Sequence, residues 1–164
     1  MKVRYDNWIK GLQWDWLISR QRHFGVPFPV WYCKKCYQVI LADENQHPVD
    51  PLQDKPKKPC KFGSNEFIPE KDVMDTWATS ALTPQINMKW SEDNSFFRKY
   101  FPMSIRPQSH DIITFWLFNT VVKSYLHHEE LPWKEVVISG HGLDPNGKKM
   151  SKSKGNLISP VVSL

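Results

Sequence analysis

The sequence has little of what would staple a chain together, anchor it or string it out. Three cysteines in 164 residues are too few for a disulfide framework and point to reduced thiols. No apolar run approaches the roughly 20 residues that a membrane helix needs. The polar start MKVRYDNWIK also lacks the apolar core of a signal peptide. These absences predict an intracellular, cytoplasmic chain with no membrane partner. No internal repeat occurs, and no G-x-x-x-x-G-K-[ST] stretch, so a P-loop is excluded. Eight Trp, nine Phe and five Tyr exclude a disordered polymer, whereas thirteen Pro imply substantial loop. The formal charge of +5 favours an anionic partner, nucleic acid or nucleotide, but is too modest to establish one.

What the chain does have is a concentrated basic loop. HGLDPNGKKMSKSKGN, residues 141–156, places Lys148, Lys149, Lys152 and Lys154 between Gly147 and Gly155 and interleaves them with Ser151 and Ser153. A solvated surface loop is the simplest reading of such a run. The alternative is a phosphate clamp. Lysine is a mobile point charge with three donors, glycine admits backbone N–H groups close to an anion, and serine adds short hydrogen bonds.

Turn residues divide the rest. YDNWIKGLQWDWLISRQ offers a helical stretch before a turn at Gly25 and Pro27, and VWYC and YQVIL read as two strands of a hairpin around Cys33 and Cys36. From Ala42 to Pro69 the chain is polar and rich in Pro and Lys, with DKPKKPCKFGSNEF as its loosest part. HDIITFWLFNTVVKSYLHH predicts a helix of about five turns at ~1.5 Å per residue, ended by Pro132. Its apolar positions Ile112, Ile113, Phe115, Trp116, Leu117, Phe118, Val121 and Val122 surround it almost completely, so both faces should be covered. Ile112 and Trp116 share a face and suit either a small apolar pocket or, more simply, ordinary core. The strand KEVVISGHG follows, so helix, strand and lysine loop form part of an α/β unit. The predicted organisation is a first segment over 1–32, a small hairpin insertion over 33–69 and an α/β segment over 70–164.

These motifs together resemble the class I aminoacyl-tRNA synthetases. KMSKS, Lys149 to Ser153, is similar to their signature loop, and DWLISRQRHFGVPFPVWYC resembles the segment re-entering the catalytic domain after the editing insertion. DVMDTWATSALTP and RPQSHDIITFWLF are similar to the valine enzymes of archaeal type. The resemblance implies a partial Rossmann-like nucleotide-binding domain with a zinc-ribbon-like hairpin insertion. It also implies ATP with Mg2+, valine and tRNA(Val) as partners. Lys149 and Lys152 would cradle the pyrophosphate, with Met150, Ser151 and Ser153 in the same loop. Asp111 would hold the adenosine ribose, His141 and Gly142 would sit beside the adenine, and Trp77, Ile112 and Trp116 would line the valine pocket. Outside the resemblance Asp111 reads equally as a helix N-cap, and Trp77 and Trp116 as core aromatics.

Three departures qualify what the resemblance implies. Ser109 stands where the family usually has glycine, so approach of the backbone to a nucleotide should be hindered. The zinc-knuckle pattern is incomplete: Cys33 and Cys36 form a half-site, Cys60 has no second cysteine nearby, and His47 has no known finger spacing. Weak or absent zinc is expected. Finally, the chain contains no His-Ile-Gly-His motif. The expectation is therefore a fragment that works with its missing synthetase half, inactive alone. The other reading is a nucleotide- or RNA-binding module derived from a synthetase.

Overall fold

The structure, a computed structural model, describes residues 1–13 and 15–158. Trp14, inside the predicted first helix, and residues 159–164, at the end of the predicted α/β segment, lie outside them. In chain order the principal elements are α1 (Lys2–Gly11), β1 (Ser19–Arg20), β2 (Val30–Cys33), β3 (Val39–Leu41), β4 (Phe67–Pro69), β5 (Val73–Met74) and α2 (Thr76–Ser80). They continue with α3 (Thr83–Asn87), α4 (Asn94–Tyr100), β6 (Met103–Ser109), α5 (Phe118–His128) and β7 (Trp133–Ser139). The chain divides into two compact units, Met1–Gln13 with Ala81–Leu164, and Trp14–Ser80. The insertion read over 33–69 lies inside the second.

In the Trp14–Ser80 unit, β2 is the centre of a three-stranded antiparallel sheet with β3 and β4 on its flanks. Its alternation buries Trp31 and Cys33 and leaves Val30 and Tyr32 half-buried, the period-2 pattern of a strand with one covered face. The third strand, β4, emerges from the segment read as loop. That segment is irregular yet held down: Trp31 Nε1 donates to the carbonyls of Pro51 and Asp54 at 3.2 Å each, and Val49, Cys60 and Ser64 are buried. A buried indole N–H needs an acceptor, and the Pro-rich segment supplies it. Gly25 is required sterically, since a Cβ there would lie 2.5 Å from Val73 Cγ2. Arg20 Nε pairs with Asp75 Oδ2 at 2.9 Å and ties β1 to the start of α2.

In the other unit β6 and β7 run parallel, from Met103 opposite Trp133 to Ser109 opposite Ser139. Parallel strands need a long crossover, and here it is helical, so the unit is of α/β class. The crossover is less regular than its periodicity predicts. It opens with a 3-10 turn at His110–Ile112, widens into a π-helix at Ile113–Leu117, and becomes α-helical only at Phe118. Asn119 Nδ2 donates to the Phe115 carbonyl at 2.6 Å and Thr120 Oγ1 to that of Trp116 at 2.7 Å, satisfying acceptors along the widened turn. Ile113, Trp116, Trp133, Phe97 and Phe101 form the core, but Phe115 and Leu126 stay exposed, so the helix is not covered on all sides. The first predicted helix stops at Gly11, where glycine's backbone entropy disfavours continuation, and Leu12 is already extended.

Candidate nucleotide site at the ends of two parallel strands

Ser109 and Ser139 close β6 and β7 side by side, so the residues just beyond them share one end of the sheet. In open α/β sheets this carboxyl end is where ligands bind. Asp111 follows β6, and His141 follows β7. The His110 and His141 rings lie 4.3 Å apart between centroids. Ser109 has φ −81°, an ordinary extended value, so this position does not call for glycine's conformational freedom.

The lysine loop is a folded hairpin. Leu143 and Lys149 form a bridge, Asp144 N–H donates to the Lys148 carbonyl at 2.8 Å, and Gly147 takes the turn with φ +73°. Met150 N–H returns to the Gly142 carbonyl at 3.1 Å, and Met150 Cε would stand 2.9 Å from any Cβ at residue 142. Glycine there lets the methionine lie flat on the backbone. Beyond Ser151 the chain makes a short turn ending at Gly155, φ +64°, and Asn156 folds back. Its Oδ1 accepts from Ser151 N–H at 2.9 Å, while its Nδ2 donates to Asp144 Oδ2 at 2.9 Å and to the Lys149 carbonyl at 3.2 Å. Asp144 Oδ1 in turn accepts from the N–H groups of Asn146 and Lys148.

This fold sets Lys149 Nζ 3.1 Å from Asp111 Oδ2. The Ser109 hydroxyl first, and the Lys149 ammonium second, hold the Asp111 carboxyl down from 3.8 to about 2. Ser151 and Ser153 hydroxyls lie 2.8 Å apart, and Lys148, Lys152 and Lys154 are exposed. The arrangement offers ammonium groups, hydroxyls and one carboxylate to an anion carrying a diol. Of the residues singled out from sequence, the fold brings together Asp111, Lys149 and Met150 with His141, Gly142, Ser151 and Ser153. Asp144, Asn156 and His110 were not singled out. An aspartate and an asparagine flanking a glycine-bounded basic run are the signal that marks a closed loop.

Ile112 and Trp116 belong to the same unit, whereas Trp77 lies on α2 in the other. Trp116 is only 4% exposed. Its ring stacks on Trp133 at 5.3 Å with 13° between planes, and the Arg106 guanidinium lies 4.1 Å from its centroid.

Comparison with known proteins follows this geometry. The family model described as tRNA synthetases class I (I, L, M and V) matches residues 1–163. The chain belongs to this family. It is 54% identical over 159 residues to the Valine–tRNA ligase of Thermoplasma acidophilum, covering 96% of this chain and 20% of the relative. With the Valine–tRNA ligase of Thermobifida fusca it shares 52% over 173 residues, 100% of this chain and 20% of that one. This synthetase chain thus spans 20% of the length of these two curated relatives. The fold also resembles a crystal structure of an Agrobacterium radiobacter LeuRS in ternary complex with tRNA and LeuAMS. The TM-score is 0.72 at 23% identity, over 98% of this chain and 25% of that one.

The resemblance of the hairpin to a synthetase zinc knuckle can be tested on its side chains. Cys33, Cys36 and Cys60 place their sulfurs within 4.8 Å of one another. A tetrahedral zinc with bonds of about 2.3 Å separates its sulfurs by about 3.8 Å, so the three thiols fit the ion with small side-chain adjustment. Backbone N–H of Cys36 foremost, then that of Lys35 and the thiols of Cys60 and Cys36, lower the Cys33 thiol to about 6 despite its burial. Cys60, which has no partner in the sequence pattern, acquires two in space. His47 is not part of the cluster.

Proposed function

We propose that this chain supplies the lysine-loop part of the ATP and valine site of a valyl-tRNA synthetase, for valine adenylation and transfer to tRNA(Val). It does so within a Rossmann-like domain and is inactive without the rest of that site. The observation that carries the reading is the meeting of Asp111 and Lys149 at the carboxyl ends of parallel strands.

In this chemistry a valine carboxylate oxygen bonds to the α-phosphorus of ATP while the bond to the bridging oxygen breaks and pyrophosphate leaves. The valine supplies the nucleophile, so the protein contributes position and charge. Lys149 and Lys152 stabilise negative charge accumulating on the departing pyrophosphate, with Ser151 and Ser153 as further donors. ATP enters as its magnesium complex. Asp111, ionised throughout the neutral range, accepts from the ribose hydroxyls. Because Lys149 and Asp111 bond one another in this chain, nucleotide entry exchanges that bond for two others, ammonium to phosphate and carboxylate to ribose. His141 and Gly142 flank the adenine. Ile112 and Trp116 are assigned to the valine side chain, and Trp77 likewise on resemblance alone.

The test combines the purified chain with a separately expressed segment bearing the missing histidine motif, and measures valine-dependent ATP–pyrophosphate exchange. The expected result is none by the chain alone and clear exchange by the pair. Exchange by the chain alone would refute the incomplete-site reading. ATP or RNA binding that no complementary segment converts into exchange would favour the binding-module reading.

A further inference from the structure

The two cysteine turns of the Trp14–Ser80 unit are built alike except for one residue. In the first, Cys33 N–H donates to the Gln38 carbonyl at 3.0 Å and Tyr37 N–H to the Cys33 carbonyl at 2.8 Å. In the second, Cys60 N–H donates to the Ser64 carbonyl at 3.0 Å and Gly63 N–H to the Cys60 carbonyl at 2.8 Å. Tyr37 and Gly63 both take positive φ, +56° and +75°. Cys33 and Cys60 therefore correspond, as do Tyr37 and Gly63, and the second turn is one residue shorter. The residue before the positive-φ position is Cys36 in the first turn and Phe62 in the second. Phe62 is 81% exposed and carries no donor atom for a metal. Ser64 does not replace it, since its hydroxyl accepts from Glu66 N–H at 3.3 Å. Among the described residues no other His, Cys, Asp or Glu joins the three thiols.

We propose that Cys33, Cys36 and Cys60 form a three-thiolate zinc centre whose fourth corner is left open by Phe62 and is filled by an exchangeable small ligand from solution. A structural zinc site is normally closed by four protein ligands, and an open corner is the property of sites that exchange ligands. Access comes from the side of Cys36, which is only half-buried while Cys33 and Cys60 are buried. Lys34, Lys35 and Lys61, all exposed, flank the turns and favour an anionic incomer. A small thiolate meets both conditions, being anionic and, like the three cysteines, a soft donor suited to zinc, with water holding the corner in its absence. Three thiols give up their protons when the ion binds. The thiolate then displaces the water, with no change of oxidation state.

Cobalt(II) serves as the spectroscopic probe, added to the chain kept reduced with a phosphine that is not itself a ligand thiol. One cobalt per chain is expected, with sulfur-to-cobalt charge-transfer absorption. Titration with 2-mercaptoethanol should then raise that absorption by about a third as a fourth sulfur joins three, while the metal stays bound. Cys60→Ser should abolish stoichiometric binding. No cobalt binding by the unmodified chain would overturn the proposal. So would a bound-cobalt spectrum indifferent to 2-mercaptoethanol, which would mean that the protein already fills the corner. The titration needs no variant, so misfolding of Cys60→Ser leaves it decisive, and no readout depends on adenylation.

Discussion

Asn156 holds Asp144 across the base of the lysine loop, with Nδ2 donating to Oδ2 at 2.9 Å. They stand twelve positions apart in sequence, and both lysines assigned to pyrophosphate lie between. The same amide accepts from Ser151 N–H, and the same carboxylate accepts from Lys148 N–H, so the pair braces both arms of the loop. The aspartate is correspondingly lowered from its ordinary range, chiefly by Asn156.

Removing this brace should loosen the loop without unfolding the unit. Asn156→Ala deletes three hydrogen bonds, each worth about 1 kcal/mol net, and Ser151 N–H should exchange with solvent at least tenfold faster. Asn156→Asp keeps an acceptor for Ser151 but sets a second carboxylate against Asp144, so it should loosen the loop as well. Hydrogen exchange at Ser151 and Lys148 is the measurement. Unchanged rates in both variants would show that the brace is incidental.

The Asp111 carboxyl should titrate near 2 in a carboxyl-carbon NMR experiment. Lys149→Met should move the midpoint up toward 3.8, because it removes the ammonium that lies 3.1 Å from Oδ2. Since the folded value is the lower one, the surroundings of Asp111 add stability above the unfolded value near 3.8, and the contribution is lost as pH falls toward about 2. With the carboxylate 41% exposed, solvent screening keeps that contribution small. A midpoint of 3.8 in the unmodified chain would remove the electrostatic basis for the site.

In the reconstituted enzyme, Lys152→Ala should slow adenylation by roughly 2 to 4 kcal/mol of barrier and leave the Michaelis constant for valine nearly unchanged. Single-turnover adenylate formation measures it. An effect confined to valine affinity would assign the lysine to ground-state binding.

Trp116 is buried between β6 and the start of β7, so Trp116→Ala should cost about 3 to 5 kcal/mol of stability whatever its role. Trp116→Phe is the informative change. It keeps an aromatic against Trp133, and as a pocket wall it should alter discrimination between valine and a side chain one methylene larger by ~1 to 3 kcal/mol. Adenylation rates for the two amino acids, with melting temperature as control, decide. Lost stability with unaltered selectivity would make Trp116 core alone.

Local signals carried the lysine loop, the Cys33 hairpin and the α/β character of the second half, because each rests on short-range periodicity or turn chemistry. The π-helical opening of the crossover was not legible. It depends on the side chains of Asn119 and Thr120 finding carbonyls one turn back, and periodicity does not register a widened turn. The Pro-rich segment from Ala42 to Pro69, read as loop, is anchored at Pro51 and Asp54 because a distant indole needs acceptors.

By itself the sequence determined which chemistry the chain carries: lysines and hydroxyls for a polyphosphate, a carboxylate before an apolar helix, and three soft thiols. Only the tertiary structure decided which of these meet. Parallel pairing of β6 with β7 aligns Ser109 with Ser139 and so delivers Asp111 to Lys149, a pairing set by strand register and loop closure. Cys60 joins Cys33 and Cys36 because β4 returns alongside β2, a hydrogen-bonded contact between segments distant in sequence that no local pattern encodes.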